Sequence, residues 1–264
     1  KAEVRAFVDF PFRLYRDDPF WVPPIRADVR TMLNPKKHPF YEHSEAAFFL
    51  ARRDDEVVGR LGVLENRPFN KYQDKKQAQF YFFETVEDYE VAEKLFEAGA
   101  GWARARGLTQ LVGEKGLSSF DGYGLLVEGF DYPPSMTMMK YNPAYYGDYM
   151  ERMGFTKEVD FITRYIDLES FDLPERVHRI SERAMNRSNI RILQFKTKRE
   201  LLSWAKKIGE VYNDTFVDNW EYYPLTQKEL DFAINDALMV ADPRLIKIIE
   251  HEGSVIGFIL AFPD

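Results

Sequence analysis

The sequence predicts an α/β (α+β) protein of two similar units, each a mixed, mostly antiparallel sheet flanked by helices, the second unit incomplete. Three observations predict it. Strand-length apolar runs alternate with helical patterns along the chain. The 264 residues, 45% of them hydrophobic, suffice for more than one core. Landmarks of the opening also return near the end: Tyr15 with Tyr212, Trp21 with Trp220, and Gly59 with Gly257. Each separation is about 198 residues, far beyond solenoid periods, so whole domains repeat.

In chain order, Lys1 to Tyr15 reads as a helix with Val4, Phe7, Val8, Phe10 and Leu14 on its apolar side, kinked or restarted at Pro11. Asp17 to Pro24 is a break, and a second helix covers Ile25 to Leu33. Ala46–Arg52 and Val57–Leu64 flank Arg53-Asp54-Asp55-Glu56, a hairpin signal. Gln77–Thr85 is a third strand. Asp88 caps a long helix to Arg106 that Gly107 closes, and Thr109–Gly113 is a short strand. Gly116 to Lys140 holds loop clusters, Asp121-Gly122-Tyr123-Gly124 and Asp131-Tyr132-Pro133-Pro134, with no phosphate-loop spacing. It is read as an insertion over the sheet edge.

Asn142-Pro143 is a helix-start signal, followed by Tyr146, Tyr149, Met150 and Met153 at helical spacing. Gly154 stops that helix, and Asp160 to Leu168 reads as a strand. A basic linker follows, with Arg176, Arg179, Arg183 and Arg187 on one stripe of a helix, read as a solvated face. The opening then repeats. Arg191–Phe195 is a strand, Lys198–Asn213 a helix, and Thr226 caps a helix through Leu238. Leu245–Glu250 and Val255–Phe262 form a hairpin across Gly253. The predicted division is a first unit over 1–168, a linker helix over 169–189 and part of a second unit over 190–264. A second copy of equal length would run about 100 residues past Asp264, so the sequence is expected to be part of a longer chain.

Composition narrows the function. The net charge of −7 argues against a nucleic-acid footprint. No apolar run is long enough to span a membrane, and the expectation is a cytoplasmic protein. The chain has no cysteine, which removes thiolate nucleophiles and Cys-based zinc sites. His38, His43, His178 and His251 show no metal spacing, so no metal site is expected.

The helix ending in Glu151-Arg152-Met153-Gly154-Phe155 and leading into a strand resembles the end of the GNAT fold, the acyl-CoA N-acyltransferase superfamily. That resemblance implies acyl transfer from acetyl-CoA or another acyl-CoA to a small-molecule amine. It also implies a cofactor pyrophosphate resting on backbone N–H groups before a helix, in a loop patterned [RQ]-x-x-G-x-[GA]. The stretch in that position, Phe83 to Val91, has no glycine and is acidic, which repels a pyrophosphate. Met150 stands where the family often has a tyrosine acid. The first copy is therefore expected to be catalytically degenerate, with the cofactor site in the second copy and no catalytic residue assignable. Trp220, Tyr222 and Tyr223 lie in the helix–helix connection that borders the acceptor site in the family. They read either as substrate-binding residues or as hinge packing. The rival reading is a non-catalytic tandem module that binds a small molecule or a protein partner.

Overall fold

The computed structural model describes residues 1–134, 139–167, 169–187 and 189–263. Their contacts divide the chain into two compact units, 1–163 and 164–264.

The first unit opens with α1 (Ala2–Leu14) and α2 (Arg26–Met32). Pro11 lies inside α1 rather than restarting it, and its ring is buried with Phe7, Val8 and Phe10. The strands β1 (Glu45–Arg53) and β2 (Glu56–Glu65) form the expected antiparallel hairpin, turning on Asp54 and Asp55, both at positive φ. A short helix that periodicity does not reveal, α3 (Arg67–Tyr72), follows; Asn66 caps it and Pro68 stands in its first turn. Strand β3 (Gln77–Thr85) pairs antiparallel with β2. Helix α4 (Tyr89–Arg104) returns the chain to β4 (Gln110–Gly113), which pairs parallel with β3. The sheet order is β1-β2-β3-β4, the GNAT-like arrangement that the sequence leads one to expect.

One face of this sheet packs on α4 and on α5 (Tyr145–Arg152), through Leu61, Val63, Phe80, Phe83, Leu95, Phe96 and Tyr146. The other face packs on α1 and α2 through Phe7, Val8, Val29, Tyr81 and Phe82. Phe82 has a φ of +56, and the β2–β3 register shifts between Arg60 and Gly62. The extra residue is a β-bulge, and it turns Tyr81 and Phe82 to the same side of the sheet.

Two expectations change here. Asn142 and Pro143 do not start a helix; α5 begins at Tyr145. The buried Asn142 amide instead takes the Leu126 N–H at 2.7 Å and donates to the Leu126 carbonyl at 3.2 Å, a tertiary use that no local motif announces. The predicted strand from Asp160 is also absent over residues 160–167; Leu168 lies outside the described residues. Phe161 stacks on Tyr123 instead, with centroids 5.5 Å apart, and Ile162 is exposed. A β-rich composition gives a strand only where an edge accepts it, and β4 offers four residues. The Gly154 stop holds: φ is +85, and the Phe155 N–H reaches the Met150 carbonyl.

The second unit contains α6 (Glu175–Arg187), β5 (Ile190–Gln194), α7 (Lys198–Thr215), α8 (Gln227–Val240), β6 (Ile246–His251) and β7 (Ser254–Leu260). Its sheet order is β5-β6-β7, antiparallel throughout. Thr197 and Thr226 each close a capping box, with Glu200 and Glu229. Arg176, Arg179 and Arg183 of α6 are exposed; nothing is described of the Arg187 side chain. The two hairpins match residue for residue. Ala51 pairs with Gly59 and Ile249 with Gly257, and in each the register shifts at the next residue.

Packing of α4 on the sheet gives a paired test. A Cβ at Gly99 would stand 2.7 Å from a Val63 methyl, whereas one at Gly101 would meet nothing within 4 Å. Gly99→Ala is expected to destabilise by about 1–3 kcal/mol and Gly101→Ala to stabilise by about 0.5–1 kcal/mol. Urea midpoints decide it; equal shifts would refute this packing.

Candidate functional site

Strands β3 and β4 stay paired only as far as Phe80 and Gly113. Beyond that point the bulge has taken the Phe83 N–H out of the ladder, and the Glu114 carboxylate accepts it at 2.9 Å. Glu114 is 4% exposed, and its other oxygen lies 3.1 Å from the Lys140 ammonium. Burial raises the Glu114 carboxyl against the pull of Lys140. Burial lowers Lys140, but the charges of Glu114, Tyr81 and Glu84 outweigh it and hold the ammonium charged. One residue past Phe83, Glu84 takes both arms of the Arg60 fork, at 2.5 and 3.0 Å. Arg60 also donates to the Phe7 carbonyl at 2.7 Å and lies over the Phe7 and Phe82 rings.

Tyrosines close this cluster. The Tyr146 hydroxyl accepts the Thr85 N–H at 2.7 Å, and Tyr145 donates to the Thr85 carbonyl at 2.8 Å. The Tyr15 hydroxyl lies beside that of Tyr146 without a well-formed hydrogen bond. Burial drives the pKa of both Tyr15 and Tyr146 far up. Sequence reasoning missed Glu114, Lys140, Arg60 and Tyr146 as a set, because they stand far apart in the chain.

The start of α4 is the position where the family resemblance would put a pyrophosphate. Asp88 caps it by accepting the Glu90 N–H at 3.0 Å, and Arg53 sits 2.6 Å from the other Asp88 oxygen. The helix N-terminus thus already carries an anion from its own chain, neutralised by its own arginine. A pyrophosphate does not fit these residues. Neither lysine of the insertion's ends is available: Lys115 is buried over the Phe69 ring, and the half-buried Lys140 is held by Glu114.

The aromatic trio of the second unit lies between α7 and α8. Tyr222 donates to the Asn213 carbonyl at 2.7 Å, and Asn213 also accepts the Leu225 N–H. Tyr223 reaches Glu229 of the capping box at 3.4 Å. Both tyrosines are buried in this hinge and Trp220 is half-buried. His38 is a buried cap that accepts the Phe40 N–H. No cluster of potential metal ligands occurs among the described residues.

A cleft of about 470 Å³ opens on the first unit between the insertion and α5. Leu126, Val127 and Phe130 line it from the insertion, and Tyr145, Asp148 and Glu151 line it from α5.

Two outcomes test the buried cluster. Lys140→Met strands the Glu114 charge and is expected to cost on the order of 3 kcal/mol, while adding Glu114→Gln restores part of it. Denaturation midpoints read both; a double variant no better than the single one would refute the pairing. Burial also raises Asp121 to about 6, against the Ser118 N–H that its carboxylate accepts. The folded value exceeds the unfolded one, so the folded state holds the extra proton. Stability from this group falls as pH rises from about 4 to about 6. Asp121→Asn should flatten that part of the pH profile.

No protein-family model matches the chain. Among solved structures, it is similar to a tandem GNAT protein from the clavulanic acid biosynthesis pathway, with a TM-score of 0.49 and 13% identity. That match covers 97% of this chain and 69% of the other. It is also similar to an aminoglycoside acetyltransferase from a soil metagenomic sample in complex with sisomicin. There the TM-score is 0.37 and the identity 15%, over 63% of this chain and 89% of the other. Protein YghO of Escherichia coli is 24% identical over all 264 residues, which span 66% of that protein. The bacterial ceramide synthase of Caulobacter vibrioides is 32% identical over the same 264 residues, 68% of its length. With every residue of the chain aligned to that enzyme, the chain belongs to the family of the bacterial ceramide synthase.

Proposed function

We propose that the whole protein is an acyl-CoA-dependent N-acyltransferase, made of two GNAT-like units, that joins a fatty acyl group to an amine bearing a hydrocarbon chain. The observation that carries this reading is the kinship of all 264 residues with 68% of an enzyme named a ceramide synthase. A ceramide is an amide of a fatty acid and a long-chain amino alcohol, so its synthesis requires acyl transfer to nitrogen. The same kinship favours a fatty acyl donor over an acetyl one.

The first unit supports catalysis without holding the cofactor. Its α4 N-terminus is closed by Asp88 and Arg53, so the reading assigns acyl-CoA to the second unit. Glu114 is engaged with the Phe83 N–H and Lys140, and it serves the sheet rather than a substrate. The same closed helix start also favours the rival reading, a tandem module that only binds.

Release of free CoA thiol separates the two. The whole protein, given palmitoyl-CoA and a long-chain amino alcohol, is expected to release thiol only when both are present. Acetyl-CoA should be the poorer donor. Absence of amine-dependent release with either donor would sink the transferase reading and leave the binding module.

A further inference from the structure

The cleft beside α5 is built in a way that its neighbours do not require. Its outer wall is the Leu126–Phe130 segment, held by the buried Asn142 through both the N–H and the carbonyl of Leu126. Its inner wall is the Tyr145 ring, fixed by the bond from its hydroxyl to the Thr85 carbonyl. The Leu126 backbone and the Tyr145 ring are thus each tied to the fold by hydrogen bonds of the chain itself. A volume of about 470 Å³ falls within the range of small-molecule sites.

One face of α5 completes it with Gly147, Asp148 and Glu151. Asp148 and Glu151 stand three residues apart, which makes their carboxylates neighbours on the helix surface. Neither joins an ion pair among the described residues, although Arg152 follows directly; Arg152 lies over the Tyr89 ring instead. Gly147 is the second observation. A glycine inside a helix costs up to about 1 kcal/mol relative to alanine. Here no neighbour demands it, since a Cβ would meet nothing within 4 Å. Gly147 lines the cleft.

We propose that this cleft binds a primary aliphatic amine carrying a hydrocarbon tail. The tail lies along Leu126, Val127, Phe130 and Tyr145, and the ammonium lies between Asp148 and Glu151. Two adjacent carboxylates select for a cation and against a fatty acid of the same length. The site rests on the N-acyltransferase reading only for the fate of the ligand, which would be the acceptor amine; the binding itself stands on the cleft.

Calorimetric titration of the chain with dodecylamine below its micelle concentration tests this, with dodecanoate as the control. Saturable binding of the amine and none of the acid is expected. Asp148→Asn with Glu151→Gln should weaken it roughly tenfold or more. Gly147→Leu fills the cleft with a better helix former and should abolish binding with no loss of thermal stability. Binding of the acid as tightly as the amine, or amine binding unmoved by both variants, overturns the site, as does no amine binding at all. Thiol release by the whole protein keeps the two readings apart. Activity with an unchanged KM for the amine in the Asp148→Asn, Glu151→Gln variant overturns the cleft and leaves the transferase. Dodecylamine binding that the variants abolish, in a protein that releases no thiol, supports the cleft while the transferase reading fails.

Discussion

The first unit depends on the Phe83 N–H. The bulge at Phe82 frees this donor from the β2–β3 ladder in a place where water cannot reach it. A buried amide without an acceptor costs about 1–3 kcal/mol, and Glu114 supplies the acceptor. That solution brings a carboxylate into the interior, which itself demands a cation, and Lys140 answers it. Glu84, turned inward one residue later, makes the same demand and is met by Arg60. In each pair one charge is buried, Glu114 in the first and Arg60 in the second, so its partner cannot be removed alone at low cost.

The bulge also shapes what surrounds it. Because β3 and β4 stop pairing at Phe80 and Gly113, the end of β3 needs other support. Tyr145 and Tyr146 provide it by bonding to both backbone groups of Thr85. This fixes the first turn of α5 against the sheet and turns its Gly147–Asp148–Glu151 face toward the insertion. The cleft is thus a consequence of how the sheet end is held.

Arg53 and Asp88 show how a helix start is capped and neutralised from within its own chain. An anion at a helix N-terminus is favourable whoever supplies it. The aspartate that caps α4 takes the favourable position, and the arginine from β1 neutralises it. The favourable position at the helix start is thereby filled from within the chain.

Much of this was legible from the residues. Periodicity located β1 to β4, α4 and the second unit's elements to within a few residues. The caps Asp88, Thr226 and Gly154 are local chemistry that needs no tertiary partner. The landmark spacing anticipated two hairpins that prove identical in pairing and bulge position. The acidic, glycine-free stretch before α4 already argued against a phosphate cradle. What the sequence could not decide are the long-range pairings. Asn142 reads as a helix cap and is a clamp on Leu126, sixteen residues earlier. Residues 160–167 have strand composition but no strand, because the neighbouring edge does not take them. Glu114 and Lys140 flank the insertion and look like loop charges, yet they pair, with Glu114 buried, because a bulge elsewhere created a need for the carboxylate. Local preference acts over a turn or two of chain; the partners of a buried donor are chosen by the whole fold.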